Sequence, residues 1–371
     1  MKKFLKWLLV AVIILVFIVI TATMIVPKFA PQFGNSSDGA RLERIKSSPH
    51  FKDGQFQNLV DTPMYGENTS LWQSMLKFIK GGENREPDAV IKTIKFSANN
   101  ISPDEVSVTW FGHSTVLLQI AGKNILIDPV FSNHASPFAF MGPKAFPYSP
   151  HFSIADLPEI DAILISHDHY DHLDYETILK LKNLSIPFYV PLGLGAHLER
   201  WGIPAENIFE AEWWDEFRFD QEIVFACVPM RHFSGRGISD RNKTLWAGWV
   251  IKSEKHTIIH TGDSGYGPHF KQIGEKYGPF DLTMVECGQY NEGWPYIHMT
   301  PEETVQAHID LDGKLLLPIH WGRFNLSLHS WTDPVERASE ASNQKNINLI
   351  TPVPGQVVSL SNPLAYYEWW K

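Results

Sequence analysis

The stretch that decides the reading is Ile165–Asp174, ISHDHYDHLD. Four potential metal ligands, His167, His169, Asp171 and His172, follow the apolar run Ala162-Ile163-Leu164-Ile165. In extended backbone, residues two apart point the same way, so His167 and His169 can grip one cation. Where the chain turns toward the next helix, adjacent Asp171 and His172 diverge toward a second cation, about 3.5–4 Å away in two-metal sites. Imidazole nitrogens and a carboxylate oxygen suit zinc at ~2.0–2.2 Å. A chance match to His-x-His-x-Asp-His in a chain with 16 histidines is roughly one in several hundred, which disfavours a merely histidine-rich loop.

One motif cannot fill two coordination shells, so further ligands must come from other strand ends. His232 follows the run Ile223–Met230, Asp263 follows Thr257–His260 in HTGDSGY, and His320 follows Leu315–Ile319 in LLLPIHWG. Each stands where a buried apolar run reaches a loop, the place where α/β folds put their sites. The expected arrangement is two Zn2+ ions, one held by His167, His169 and His232, the other by Asp171, His172 and His320. Asp263 bridges them and counts as a catalytic residue on that account. His113 in WFGHST and Asp128 in LIDPVF are expected to orient ligand imidazoles, although packing explains His113 equally well. His298 faces the site as a proton donor or substrate contact, with burial for packing as the alternative. His329, in the loop after His320, is the weakest of these.

Short apolar, β-branched runs separated by turn residues begin after Ile101, with helices fitting between several of them. The expected helices include Tyr175–Leu181, His269–Lys276 and Pro301–Asp310, the last opened by Thr300, Pro301 and Glu303 in an N-capping pattern. The whole reads as one layered α/β domain over residues 101–371. Residues 27–100 read as a linker and an extension that packs on this domain, with a helix over Ser70–Lys80. Upstream, Trp7–Val26 is a run of 20 residues without charge, long enough to cross ~30 Å of hydrocarbon. It lacks the short core and small-x-small exit of a cleaved signal peptide, so residues 7–26 are expected to be a signal anchor behind a tail of residues 1–6. Lys2, Lys3 and Lys6 crowd that tail. The expected product is therefore a single-pass protein of the bacterial cell membrane with its body outside the cytoplasm.

The chain's 371 residues carry 32 Lys+Arg against 41 Asp+Glu, a net charge of -9. Such a field does not hold polyanionic nucleic acid. The two cysteines, Cys227 and Cys287, cannot build a disulfide framework or an all-cysteine zinc site and are read as buried thiols.

At these residues the sequence resembles the metallo-β-lactamase superfamily. Within it, the sequence is similar to the N-acyl-phosphatidylethanolamine-hydrolysing phospholipase D family and its bacterial relatives. The matching stretches include TWFGHST, IDPVFSNHASPFAFMGPKAF, LPEIDAILISHDHYDHLDY, NKTLWAGW, TGDSGYGPHFKQIGEKYGPFDL, HMTPEE and IHWGRF. The resemblance implies an αββα sandwich with a dinuclear zinc site between two sheets, preceded here by the transmembrane helix. It supports the seven ligands position by position and marks His298 as an additional active-site histidine. It also implies phosphodiester hydrolysis in a phospholipid at the bilayer, with oligomerisation left open. Phe138, Phe140, Met141, Phe146 and Tyr148 are candidates for a substrate groove, with core packing as their alternative. GQYNEGWPYIHM after Cys287, and RHFSGRG, depart from the animal pattern and leave headgroup and acyl preference open. The rival readings are a lactonase or other metallohydrolase of the same fold, resembling the ascorbate-6-phosphate lactonases, and a membrane-tethered metal-binding protein without turnover. The aromatic C-terminus (Tyr366, Tyr367, Trp369, Trp370) is read as a final strand packed on the sandwich rather than an interfacial belt.

Overall fold

The computed structural model describes residues 2–66, 76–77, 80–97, 105–363 and 367–371. The helix expected over Ser70–Lys80 falls mostly outside these residues, as does Tyr366. Two sheets dominate the fold. The first has seven strands. Its antiparallel part is β4 (Ser107–Trp110), β5 (Val116–Ile120) and β6 (Lys123–Ile127), and its parallel part continues from β6 through β8 (Ala162–Leu164), β9 (Phe188–Pro191) and β10 (Ile208–Ala211). The last strand, β17 (Val357–Ser359), closes the far edge against β4. The second sheet has six strands and the same plan. An antiparallel meander of β11 (Glu216–Arg218), β12 (Val224–Val228), β13 (Gly248–Lys252) and β14 (Thr257–His260) is extended in parallel by β15 (Leu282–Glu286) and β16 (Leu316–Ile319). Two small ribbons, β1 (Phe51–Lys52) with β2 (Gln55–Phe56) and β3 (Ile91–Lys92) with β7 (Tyr148–Ser149), lie outside them.

Strand alternation builds the layers. Val116, Leu118, Ile125, Ile127, Ala162 and Leu164 join Phe225, Trp249, Ile251 and Met284 in the core between the sheets, whereas Leu117, Leu126 and Ile163 face the other way. Those outward residues pack under α3 (Tyr175–Leu181) and α4 (Gly195–Arg200) through Ile178, Leu181 and Leu198. On the second sheet, α6 (Pro301–Asp310) packs on β15 and β16, flanked by α5 (His269–Tyr277) and α7 (Asp333–Lys345). Strands covered on both faces read as continuous apolar runs, which is why the sequence reveals them so clearly. Capping fixes the helix starts: Thr300 and Glu303 form a reciprocal capping box on α6, and Asp174, the last residue of the decisive stretch, caps α3 by accepting from the Glu176 amide.

Helix α1 (Lys2–Phe29) contains an 18-residue stretch of mean hydropathy 3.2 and is long and apolar enough to cross a membrane. The chain after it is fastened to the domain. Arg200 donates to the carbonyls of Lys28 and Gly34, Trp201 Nε1 donates to Pro31 O, and the Asn35 amide donates to His197 Nδ1. Helix α2 (Gly39–Ser47) docks through Arg41, which pairs with Glu199 and Glu210 at 2.8 Å each.

Of the aromatic C-terminus, Trp369 and Trp370 pack on the domain, not as a strand, while Tyr367 is exposed. Trp369 lies 5.4 Å from Trp321 and 6.3 Å from Trp110, and β17 takes the edge position instead. Phe146 and Tyr148 are core residues rather than groove residues. Both are buried with Ile91 against Phe152, Trp331 and Trp369, and Tyr148 Oη donates to Gly322 O. Both cysteines are free and buried.

Candidate metal centre

The polar strand ends converge at one rim of the sandwich. Ser166–Asp174 follows β8, Asp128 follows β6, His232 lies beyond β12, Asp263 beyond β14 and His320 directly after β16. The loop between β4 and β5 adds His113, which pairs through its backbone with Trp321 and His320. His113, Asp128 and His320 all hold positive φ, at 54°, 44° and 67°. Strained backbone of this kind persists where the surroundings over-determine it, and it clusters at functional sites. Gly262 is needed for a related reason: its φ is +59°, and a Cβ there would lie 2.5 Å from Ser166 Cβ.

Three overlapping groups of donors result among the described residues, the third being Asp263, Glu286, His298 and His320; the first two carry the residues expected as ligands. His167, His169, His232 and Asp263 place one ligand atom each within 4.8 Å of one another, and so do His113, Asp171, His172 and His320. Asp263 touches both groups. Its Oδ2 lies 3.8, 3.6 and 3.2 Å from Nε2 of His167, His232 and His320, and its Oδ1 lies 3.2 Å from His172 Nε2. The structure thus brings together all seven residues named as ligands from the sequence. It adds His113 to them, with Nε2 2.8 Å from Asp171 Oδ2. The expectation that His113 orients an imidazole is corrected accordingly, since it faces a carboxylate within the second group.

Behind the donors, other groups set the ring orientations. His172 Nδ1 meets Asp128 Oδ2 at 2.8 Å, and Asp128 also accepts from the Ser166 amide and hydroxyl at 2.7 and 2.6 Å. Asp128 therefore sits where an imidazole-orienting carboxylate is expected. His232 Nδ1 lies 2.9 Å from Ile297 O. His298 stands over the groups, its ring 5.0 Å from that of His232 and 5.1 Å from that of His320. His329 lies outside them, accepting from the Gln289 amide and stacked on Tyr290.

Three residues escaped the sequence reading. Glu286, fully buried at the end of β15, lies 2.8 Å from His298 Nδ1 and 3.2 Å from His320 Nδ1. Its signal was the one that revealed Asp263 and His320, a polar residue ending an apolar run. Asp168, between two of the histidines, points away from them and accepts from Gly235 N and Thr244 Oγ1 at 2.8 Å each. Arg236, also buried, donates to the carbonyls of Asp168 and Leu173 and so braces the decisive stretch from behind.

Electrostatics divide the imidazoles. Burial, helped by neighbouring histidines, holds His167 well below its ordinary pKa, and burial likewise takes His113 down to about 3 and lowers His232 strongly. For His172 and His320 burial is also the largest influence, but the surrounding carboxylates outweigh it. Asp263, Asp171 and Asp128 raise His172 well above its usual value, and Asp263, Asp171 and Glu286 push His320 up to about 10. Asp171 and Asp263 stay well below the carboxylate range against the pull of burial, because His172 and other imidazoles face them.

This donor chemistry fits a divalent cation. His169 Nδ1 lies 2.8 Å from His167 Nε2 and 3.2 Å from His232 Nε2. A proton can pair two of those nitrogens, leaving a third lone pair facing others, whereas a cation among them satisfies all three. His172 Nε2 and Asp263 Oδ1 are buried without an aligned hydrogen-bond partner, the condition that a bound ion relieves.

Residues 123–321 match the Beta-lactamase superfamily domain. An uncharacterised protein of Mycobacterium tuberculosis is 41% identical over 341 residues, 90% of this chain and 91% of its own. N-acyl-phosphatidylethanolamine-hydrolyzing phospholipase D 1 of Caenorhabditis elegans is 32% identical over 302 residues, covering 76% of this chain and 85% of its own. Among solved structures, the metallo hydrolase Igni18 of Ignicoccus hospitalis superposes with a TM-score of 0.53 at 19% identity, over 69% of this chain and 98% of its own, and shares the fold. The chain belongs to the metallo-β-lactamase superfamily, with N-acyl-phosphatidylethanolamine-hydrolysing phospholipases D among its homologues.

Proposed function

We propose that this chain is a membrane-anchored, dizinc hydrolase of phospholipase D type, acting on N-acyl-phosphatidylethanolamine-like lipids. The observation that carries the reading is the pair of donor groups joined by Asp263, in a chain related to the C. elegans enzyme along most of both lengths. The apolar α1 supports a bilayer location, and the basic N-terminal tail favours a body outside the cytoplasm.

His167, His169, His232 and Asp263 would hold one ion, and Asp171, His172, His320 and Asp263 the other, with His113 bearing on Asp171. When bound, the two ions supply Lewis acidity that ionises a water near neutral pH and offsets charge on the phosphoryl oxygens. The protein's share is orientation and proton traffic. Asp128 and Ile297 O fix the rear nitrogens of His172 and His232, so that Nε2 of each ring faces the site. His298, with Nδ1–H on Glu286, has the Nε2 lone pair left to take the proton released by the attacking water and pass it to the leaving ethanolamine oxygen as its bond to phosphorus breaks. The products are phosphatidic acid and an N-acylethanolamine.

Metal analysis of the purified full-length chain should give two equivalents, falling on Asp171→Ala. Mass spectrometry after incubation with vesicles containing N-acyl-phosphatidylethanolamine should show both products. Turnover of a lactone panel with the phospholipid intact would select the lactonase reading. Bound metal with no turnover of either would select a non-catalytic metal-binding protein.

A further inference from the structure

We propose that Glu286 is a positioning residue that sets the protons of two imidazoles at once, keeping Nδ1–H on both His298 and His320 so that each offers Nε2 to the reaction centre. This deepens the metallohydrolase reading above and rests on it for the role of His320.

Glu286 ends β15, and its neighbour in the parallel ladder is Ile319, the residue before His320. Its backbone is held on both sides: its amide donates to Thr261 Oγ1, and its carbonyl accepts from Thr304 Oγ1. The carboxylate therefore has a fixed origin. Oε1 accepts from the Met299 amide at 2.8 Å, and Oε2 lies 2.8 Å from His298 Nδ1 and 3.2 Å from His320 Nδ1. The contact with His298 is aligned as a hydrogen bond, while that with His320 is close but off-axis. On the other edge of its ring, His320 Nε2 lies 3.3 Å from Asp171 Oδ2 and 3.2 Å from Asp263 Oδ2, inside the donor cluster.

A purely structural role does not explain a carboxylate here. Burying one is costly unless its oxygens are satisfied, and an amide would serve the Met299 N–H equally well. An ionised carboxylate accepts at both oxygens. That property is used when the two imidazoles facing Oε2 are donors at Nδ1. The Gln variant then becomes a sharp test, because it keeps size and reverses polarity at one end. With its oxygen on the Met299 amide, its NH2 meets both Nδ1 atoms, each of which must become an acceptor, and the protons move to Nε2. His320 would then present an N–H where a ligand lone pair is needed. The opposite amide rotamer sets NH2 against the Met299 N–H. Ala removes the partner but leaves both tautomers free.

The prediction is an order that packing loss does not produce. In the full-length protein, stripped of metal and titrated with Co2+, the d–d absorption should show roughly 10–100-fold weaker binding of one equivalent in Glu286→Gln, a smaller loss in Glu286→Ala, and recovery toward the parent in Glu286→Asp. In the metal-free protein labelled with 15N-histidine, long-range 1H–15N correlations should report Nδ1–H for His298 in the parent and Nε2–H in Glu286→Gln. An unchanged His298 tautomer in Glu286→Gln, or an Ala variant at least as impaired as Gln in the Co2+ titration, would overturn the proposal. If the parent fails to take up two Co2+ while the tautomer does switch, the metallohydrolase reading falls and the positioning role stands.

Discussion

His113 Nε2 lies 2.8 Å from Asp171 Oδ2, and the two residues come from separate loops of the first sheet, one between β4 and β5 and one after β8. The pairing fixes the outer carboxylate of the second donor group, while His113 itself is held at φ 54° by backbone bonds to Trp321 and His320. Substitution must therefore separate backbone strain from loss of the contact. Asn tolerates the left-handed region, whereas Ala there costs on the order of 1 kcal/mol. His113→Asn is expected to melt close to the parent yet bind its second metal equivalent about tenfold more weakly. His113→Ala should show the same weakening with a lower melting temperature. Metal titration and thermal unfolding of the two variants check both halves.

Arg236 joins the segment after α1 to the metal-binding loop. Its Nε donates to Gln32 O, and its Nη1 donates to the carbonyls of Asp168 and Leu173 at 2.6 and 2.9 Å. Its guanidinium also lies over the Tyr170 ring, 4.0 Å from the centroid. A lysine cannot reach three carbonyls in this planar fan. Each buried carbonyl left unpaired costs ~1–3 kcal/mol, so Arg236→Lys should lose about 2–4 kcal/mol of stability in denaturant melts. The same argument divides two truncations. Removing residues 2–26 should leave a folded, metal-competent protein, since Pro31, Gln32 and Asn35 keep their partners. Removing residues 2–37 strips those partners from Trp201, Arg236 and His197 and should lower the melting temperature by several degrees.

Much of this centre was legible because one rule, a polar residue at the end of a buried apolar run, applies to strands covered on both faces. His232, Asp263 and His320 were found that way, and Glu286, at the end of β15, obeys the same rule but was not singled out. Strands β10 and β11 were missed for a physical reason. They lie at sheet edges, where Phe209 is partly exposed and Glu216 and Arg218 face solvent, so no apolar run marks them. Helix α7 buries Val335, Ala338, Ser339, Ala341 and Ser342, a face of small residues that gives a weak hydrophobic period. The aromatic segment before β7 was read as one groove, but its residues diverge in the fold. Turn geometry, invisible to composition, decides which of them enter the core.

That divergence can be measured. Phe140 is 84% exposed and stacks on Phe138, which packs against Phe33 just beyond α1, whereas Phe146 is 5% exposed. Phe140→Ser and Met141→Ser should change stability by less than about 0.5 kcal/mol, because both side chains are exposed and only the surface contact with Phe138 is removed. Their position beside the root of α1 leads to a second expectation: weaker retention on phospholipid vesicles when the substitutions are placed in the chain lacking residues 2–26. Phe146→Ala should instead cost ~3–5 kcal/mol through the cavity it leaves. Vesicle sedimentation and chemical unfolding read the two effects separately. Equal stability losses at Phe140 and Phe146 would contradict the assignment of one to the surface and the other to the core.

His308, in the last turn of α6, provides a stability switch away from the metal centre. Burial lowers its pKa to about 4, and its Nδ1 lies 2.7 Å from Thr283 Oγ1. The unfolded chain regains a pKa near 6.5. Between those values the unfolded state binds the proton and the folded state does not, so stability is full above pH 6.5 and declines as pH falls toward 4. The contribution of this one group is about 2 kcal/mol at pH 5. His308→Asn removes the titration while keeping a polar atom for Thr283. Its unfolding free energy should start lower at pH 7.5 but fall less steeply to pH 5, the difference between the two slopes isolating His308 from every other acid-sensitive group. Parallel curves for parent and variant would mean that the ring is already protonated, or free to become so, inside the folded domain.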